Sequence, residues 1–255
     1  MVGCICPECH SGPILHLKKL NDGNDGRGSH MNIFVLHRNP RKAARWHLDK
    51  HVIKMILETC QLLYTAHWIL FYPHLKEQKS AVGLSRAQKQ LSIPAYLQSA
   101  PLCQTTKEPT YRPTHAHHPC ARWARATSGN YRWLVTLGQE LAREFRYRFH
   151  KVHACETHIE WLAAHLPPTI QRYPKRPFVM AMDQAYRISE NPVESYRHYY
   201  GTAKRELIHY TRRHVPHWLL PEGFRPNGLL PHLPPSPHHP TDVQQKAAKR
   251  PVFAR

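Results

Sequence analysis

ARWHLDKHVIKMILETCQ, residues 44 to 61, is the stretch from which the rest of the chain can be read. No Pro or Gly falls between Arg41 and Tyr72, so one helix can run through it. Leu48, Val52, Met55, Thr59, Leu62 and Ala66 recur at spacings of four and three, the period of a buried helix face. A second stripe of the same period carries His47, His51, Lys54, Glu58, Gln61 and Thr65. Imidazole, ammonium and carboxylate on one face suit proton transfer or anion contact. The plainer reading is a solvated charged face, in a chain that carries 22 histidines.

The wider composition points to a polyanionic partner. The 255 residues hold 36 Lys plus Arg against 17 Asp plus Glu, a formal charge of +19. Residues 31 to 220 hold 28 of those basic and 12 of those acidic groups, so the positive charge belongs to the patterned part of the chain. Nucleic acid is the usual partner of such an excess, because phosphate contacts supply a large sequence-independent binding term. A membrane surface is disfavoured, since the clearest helices carry aromatic cores rather than a basic amphipathic face. No run approaches eighteen apolar residues, and the first residues lack a secretory pattern. Seven cysteines, with Cys60, Cys103, Cys120 and Cys155 placed singly, suggest free thiols in a reducing, cytoplasmic-type compartment.

In chain order, residues 1 to 30 read as an N-terminal extension. Cys4, Cys6, Cys9 and His10 resemble half of a zinc knuckle but are too tightly spaced and lack a second half. A Gly- and Asn-rich linker follows, and Met31 opens a new texture. Ile33 to Leu36 is a small strand or an extended lead-in. Asn39-Pro40 starts the long helix, which is expected to continue to Tyr72 before Pro73 stops it. Residues 73 to 113, with five prolines and no clear period, read as an irregular insertion, with at most a weak helix over Ser85 to Leu91. A second strong helix over 130 to 151, capped by Ser128 or Asn130, buries Leu134, Leu137, Leu141, Phe145 and Phe149. Arg143, Arg146, Arg148 and Lys151 form its positive far side. Shorter helices are expected over Glu156 to His165 and from Asn191-Pro192, where Val193, Tyr196, Tyr200, Ala203, Leu207 and Tyr210 make a packing stripe. After residue 220 the chain becomes a Pro/His-rich tail expected to be disordered. The fold class is therefore all-α: one compact helical domain over 31–220 with a long N-terminal helix, flanked by extensions at 1–30 and 221–255.

Five pieces together resemble a group of phage-type proteins: MNIFVL (31–36), HLDKHVIKMILE (47–58), THAHHPC (114–120), WARATSGNYRWL (123–134) and PVESYRHYY (192–200). More distantly, the Trp46-His47-Leu48 triplet in a long helix after an extended start, and Tyr199-Tyr200-Gly201 with Lys204, resemble the pyrimidine-dimer DNA glycosylase (endonuclease V) family of phages. That resemblance implies an all-α fold handling a base extruded from duplex DNA, in a bacterial host or phage-infected cell. The family attacks with a free N-terminal amine. Met31 is followed by Asn32, a poor context for Met removal, and the family's carboxylate falls near Lys54, with Glu58 one turn later.

The expected function is a DNA-base-acting enzyme of glycosylase/lyase or repair type, with duplex DNA as partner and no cofactor or resident metal. Lys50 or Lys54 would be an amine nucleophile or phosphate clamp, His47 and His51 acid/base groups, and Asp49 or Glu58 their orienting carboxylates. Arg112, His115, His118, Arg122, Trp123, Arg125, Asn130, Tyr131, Arg197, Tyr199 and Lys204 are the expected DNA contacts, because basic groups meet phosphates while aromatic faces stack on bases. The HLDKH face, the HHPC–WAR segment and the Arg197–Lys204 region are expected to line one groove, with Trp123 or Tyr131 walling a base pocket. Three other readings stay open. They are a transferase modifying a thymine derivative in phage DNA, a non-catalytic DNA-binding module, and a zinc enzyme using His47, His51 and one of His115, His118 or Cys120.

Overall fold

A computed structural model describes residues 31–76 and 91–220. The extensions at 1–30 and 221–255, the knuckle-like cysteines and most of the weak Ser85–Leu91 helix lie outside the described residues. Among those described there are six α-helices and no strand: α1 (Pro40–Trp46), α2 (Asp49–Phe71), α3 (Pro119–Ala124), α4 (Ser128–Phe149), α5 (Glu156–Ala164) and α6 (Pro192–Gly201). The all-α expectation holds. None of these helices is long and apolar enough to cross a membrane.

The long helix is two helices. α1 starts as expected, with the Asn39 side chain accepting from Lys42 N and Pro40 in the first turn, but it ends at Trp46. His47 and Leu48 are extended, and α2 begins at Asp49. The cause lies far away in sequence. The carbonyls of Arg45 and His47 accept from Arg148 Nη2 and Nη1 at 2.9 and 2.8 Å, and the Trp46 carbonyl accepts from Tyr210 Oη at 2.7 Å. Side chains satisfy the carbonyls that a continuing helix would have used. The same Arg148 reaches Asp49 Oδ1 at 3.0 Å and Glu144 Oε2 at 3.2 Å. Arg148, expected on a positive far side, is therefore fully buried.

α2 is the central rod, contacting α3, α4 and α5. Its apolar stripe is buried as expected, and much of the second stripe is buried too: His47, His51, Glu58 and Thr65 all point inward. Gly138 sets the closeness of α4. A methyl group there would come within 2.8 Å of Ile159 Cδ1 on α5 and 2.9 Å of Thr59 Cγ2 on α2. The α4 cap is Thr127, one residue before Ser128 and three before Asn130, the two expected caps, with Thr127 Oγ1 accepting from Asn130 N at 3.1 Å. Its first N–H groups, on Ser128 and Gly129, donate to the Gln171 and Tyr173 carbonyls. Gly129 is required for that contact, since a Cβ would run into the backbone of Pro174 and Lys175.

Residues 91–113 are irregular as expected, with a single short helical turn at Ala95–Ser99, but they pack against the core. Leu97 and Ala100 are buried, and the Trp68 indole donates to the Tyr111 carbonyl at 3.1 Å. Thr65 and Thr114 exchange two hydrogen bonds at 3.0 Å. The segment tiles the C-terminal half of α2 through main-chain contacts that no side-chain period reveals. α6 begins as predicted, with Asn191 capping Val193 N, but stops at Gly201. Val193, Tyr196 and Tyr200 are buried, whereas Ala203, Leu207 and Tyr210 follow in a strap. The strap crosses the α1–α2 junction: Thr211 and His209 bind Asp49 Oδ2, and Arg213 binds Glu144 at 2.7 and 3.0 Å.

Candidate active site and basic corner

The lead-in of residues 31–36 builds the first half of the site. It is neither a strand nor exposed; all six residues are buried. Asn32 Oδ1 accepts from the backbone N–H groups of Ile33 and Phe34 at 2.8 and 3.2 Å, an Asx-type turn that bends the chain. Phe34 sits at φ 35, a left-handed conformation that a bulky side chain adopts only when its surroundings impose it. The surroundings are aromatic. The Phe34 ring stacks on His51 at 4.4 Å and 20°, and lies near-parallel to Tyr199 at 6.1 Å and 14°. Lys204 Nζ stands over the Tyr199 ring at 5.4 Å.

α2 supplies the other half. His51 Nδ1 meets Tyr200 Oη at 2.5 Å. Burial raises the Tyr200 phenol, so the hydroxyl keeps its proton and donates it to Nδ1. Burial, followed by the nearby His47, Lys204 and Lys54, holds His51 well below the ordinary histidine range, so the ring is neutral at pH 7. One turn along, Lys54 Nζ lies 3.5 Å from Glu58 Oε1. Glu58 Oε2 accepts the backbone N–H of Asn32 at 2.9 Å. A buried carboxylate thus ties the lead-in to α2 and faces an amine whose side chain is 37 % exposed. Burial first, and the Glu58 charge second, push the Cys120 thiol up, which leaves that cysteine an inert neighbour.

Other residues named from sequence have structural partners. His47 is fully buried. Its Nδ1 donates to the Ala43 carbonyl at 2.7 Å, its Nε2 has no partner, and burial lowers it to about 4. Asp49 belongs to the Arg148 hub and not to the His51 cluster, because its oxygens are taken by Arg148, His209 and Thr211. Lys50 is exposed on the first turn of α2. Arg197 donates to the Leu36 carbonyl and stacks on Trp46 and Trp218 at 4.8 and 5.3 Å. Arg112 is bound by Glu108 and the Leu91 carbonyl, over the Trp68 ring.

Trp123 and Tyr131 are not the open walls of a base pocket. The Trp123 indole is buried and donates to the Pro177 carbonyl at 2.7 Å. Tyr131 is fully buried against His67 Nε2 at 2.8 Å. Both rings were drawn inward because helix packing needed them. Asn130 is buried too, donating to the Trp123 carbonyl and accepting from Arg176 N. His118 caps α3 through Cys120 N, and His115 stands at φ 50 beside Thr114 Oγ1. Two of the three expected segments meet: the α2 face and the Tyr199–Lys204 region. From the third, Arg122 and Arg125 open instead into a cavity of about 620 Å3 with Leu70, Pro73, Ala126, Thr169 and Gln171. Leu70 follows Glu58 by twelve residues, about 18 Å along the α2 axis.

The zinc set is not assembled, for no group of three or more His, Cys, Asp or Glu among the described residues is placed to hold a metal ion. Asn32, Phe34 and Tyr200 are the site residues that sequence reasoning missed. MNIFVL was visible as a motif, but its apolar residues looked like core alone. No family model, curated protein or solved structure matches the chain.

Proposed function

We propose that this protein is a DNA-base-acting enzyme whose working pair is Lys54 and Glu58, flanked by the His51–Tyr200 couple and the Phe34–Tyr199–Lys204 stack. The observation that carries the reading is the Lys54 amine, partly open to solvent, held 3.5 Å from a buried carboxylate that is itself fixed by the Asn32 N–H. In a glycosylase/lyase reaction Glu58 would take the ammonium proton and free the Lys54 lone pair to attack C1′ of a deoxynucleotide. The bond from C1′ to the base would break and its electron pair would leave with the base. The resulting N,O-acetal would open to a protonated imine as the bond from C1′ to the sugar ring oxygen breaks, with that oxygen taking the proton held by Glu58. Lys204 and Lys50 supply positive charge nearby for flanking phosphates, and the excess of 28 basic over 12 acidic residues across 31–220 supports a polyanionic substrate.

The test is borohydride trapping on duplexes carrying a thymine dimer, uracil or an abasic site. A covalent adduct that disappears in Lys54→Ala and Glu58→Gln supports the reading. No adduct on any of these duplexes removes the lyase form and leaves base modification by transfer, to be assayed on hydroxymethyluracil-containing DNA. A second amine has its own support: the other Glu58 oxygen, Oε2, lies 2.9 Å from the Asn32 nitrogen, which would be a nucleophile in any product processed to start there. Peptide mapping of the reduced adduct separates residue 32 from Lys54. Loss of DNA affinity in step with every lost activity would favour the non-catalytic module instead.

A further inference from the structure

The cavity at the far end of α2 holds two arginines and no acid. Among the described residues, neither Arg122 nor Arg125 has a carboxylate within ion-pair distance, and neither guanidinium has a hydrogen-bond acceptor. Arg125 Nη1 is buried with no partner. Burying a guanidinium donor without an acceptor is costly, and placing a second cation beside it adds repulsion. Burial, and then Arg122, accordingly lower Arg125 to about 10. A fold tolerates such an arrangement where an anion completes it. The helix end nearby does not supply the binding groups, because the first N–H groups of α4 are already occupied by the Gln171 and Tyr173 carbonyls. The arginines are the receptors, in a pocket also lined by Leu70, Pro73, Ala126, Thr169 and Gln171.

We propose that this pocket binds a phosphomonoester carried on a nucleotide-sized body, either a free mononucleotide or the phosphorylated end of a DNA strand. Two guanidiniums lining one pocket match the double charge of a phosphomonoester better than the single charge of a backbone diester, and Arg can engage it through paired N–H groups. The depression, about 620 Å3 and open to solvent, has room for the attached sugar and base. Backbone diesters have a more accessible alternative in the exposed Arg132, Arg172, Lys175 and Arg176 outside it. The inference does not depend on the chemistry proposed for Lys54 and Glu58, which lies about three helical turns away along α2.

The test uses the full chain and thymidine 5′-monophosphate, with thymidine as the uncharged control. Calorimetric titration should show the monophosphate binding at least tenfold more tightly than thymidine, and Arg125→Gln should lose at least tenfold of that affinity, with Arg122→Gln losing less. Equal binding of the two probes, or unchanged affinity in Arg125→Gln, overturns the proposal. A second measurement needs no variant: phenylglyoxal modification of Arg125 in the wild-type chain, read by peptide mass spectrometry, should be slowed by the monophosphate. The source is separated by a short single-stranded oligonucleotide with and without a 5′-phosphate. Stronger protection by the phosphorylated strand than by free nucleotide identifies a strand end, and protection by the free nucleotide alone identifies a mononucleotide. Equal protection by both strands with none from the mononucleotide means a backbone contact and defeats the proposal.

Discussion

Arg148 and Arg125 stand in similar sequence settings, among aromatic residues at helix ends, and the structure uses them in opposite ways. Arg148 has a side chain with no exposure. Its donors are matched by Glu144, Asp49 and the carbonyls of His47 and Arg45, and it lies over the Tyr210 ring. Arg125 is partly buried beside a second arginine and meets no acceptor. The difference lies in what surrounds each. Asp49 and Glu144 come to the first site from two helices, and the helix break frees carbonyls there. The second site receives no acid. A buried arginine with all partners present is a strut, and one with none is a receptor.

The largest effect should come from the strut. Arg148→Met leaves Asp49 and Glu144 desolvated without their central cation and removes the donors that fix the α1–α2 break. Breaking one partner out of a buried ionic group costs about 3–5 kcal/mol. For a domain of this size the melting temperature should fall by roughly 10 °C or more. A drop of only one or two degrees would show that the strap and the junction hold without the hub.

The next effect is acid-sided. His47 has its pKa lowered from 6.5 to about 4 by burial, so unfolding lets the ring bind a proton that the folded state refuses. Its contribution is complete above pH 6.5, is lost as pH falls from 6.5 toward 4, and levels off below that. The size is about 3 kcal/mol. His67, lowered to about 3 by burial, pulls in the same direction. Melting temperature against pH should therefore decline steadily below pH 6.5, and the slope should flatten in His47→Gln. An unchanged slope in that variant would mean the ring is not desolvated in solution.

Third comes the working pair. Glu58→Gln keeps the shape and an oxygen for the Asn32 N–H but removes the proton acceptor. If the proposed role holds, product formation in single-turnover assays falls at least ~100-fold, the usual reach of general-base loss, with the melting temperature near that of the wild type. Retained activity would reduce Glu58 to a tether for the lead-in.

These contrasts mark where sequence could and could not be read. The starts of α1 and α6 were legible from their caps, because Asn39-Pro40 and Asn191-Pro192 act locally, and α4 was legible from its apolar period. The break at His47–Leu48 was not, since it depends on Arg148 and Tyr210, more than a hundred residues on. Residues 91–113 are irregular as read, but their packing on α2 was not legible, because it runs partly through main-chain carbonyls, as at Tyr111, which leave no pattern in residue types. At the site, the second stripe exposed His51, Lys54 and Glu58 to inspection as one helix face. Phe34 and Tyr200 were hidden for the opposite reason: an aromatic ring that lines a site and one that fills a core are the same residue in a sequence.

The smallest effect should sharpen the comparison most. Arg125→Gln removes a charge that makes no ion pair and donates no side-chain hydrogen bond that could be lost, while the Gln stem retains part of the apolar contact. Stability should change by no more than about 0.5 kcal/mol, or rise slightly as the repulsion with Arg122 and the unpaired donor both disappear. The measurement is chemical denaturation at low and high salt, since removal of a repulsion should matter more when it is least screened. A loss comparable to that of Arg148→Met would mean that Arg125 braces the fold through contacts like those at the hub. A neutral or small positive shift, together with lost affinity for the monophosphate, is the signature of a residue kept for what it binds.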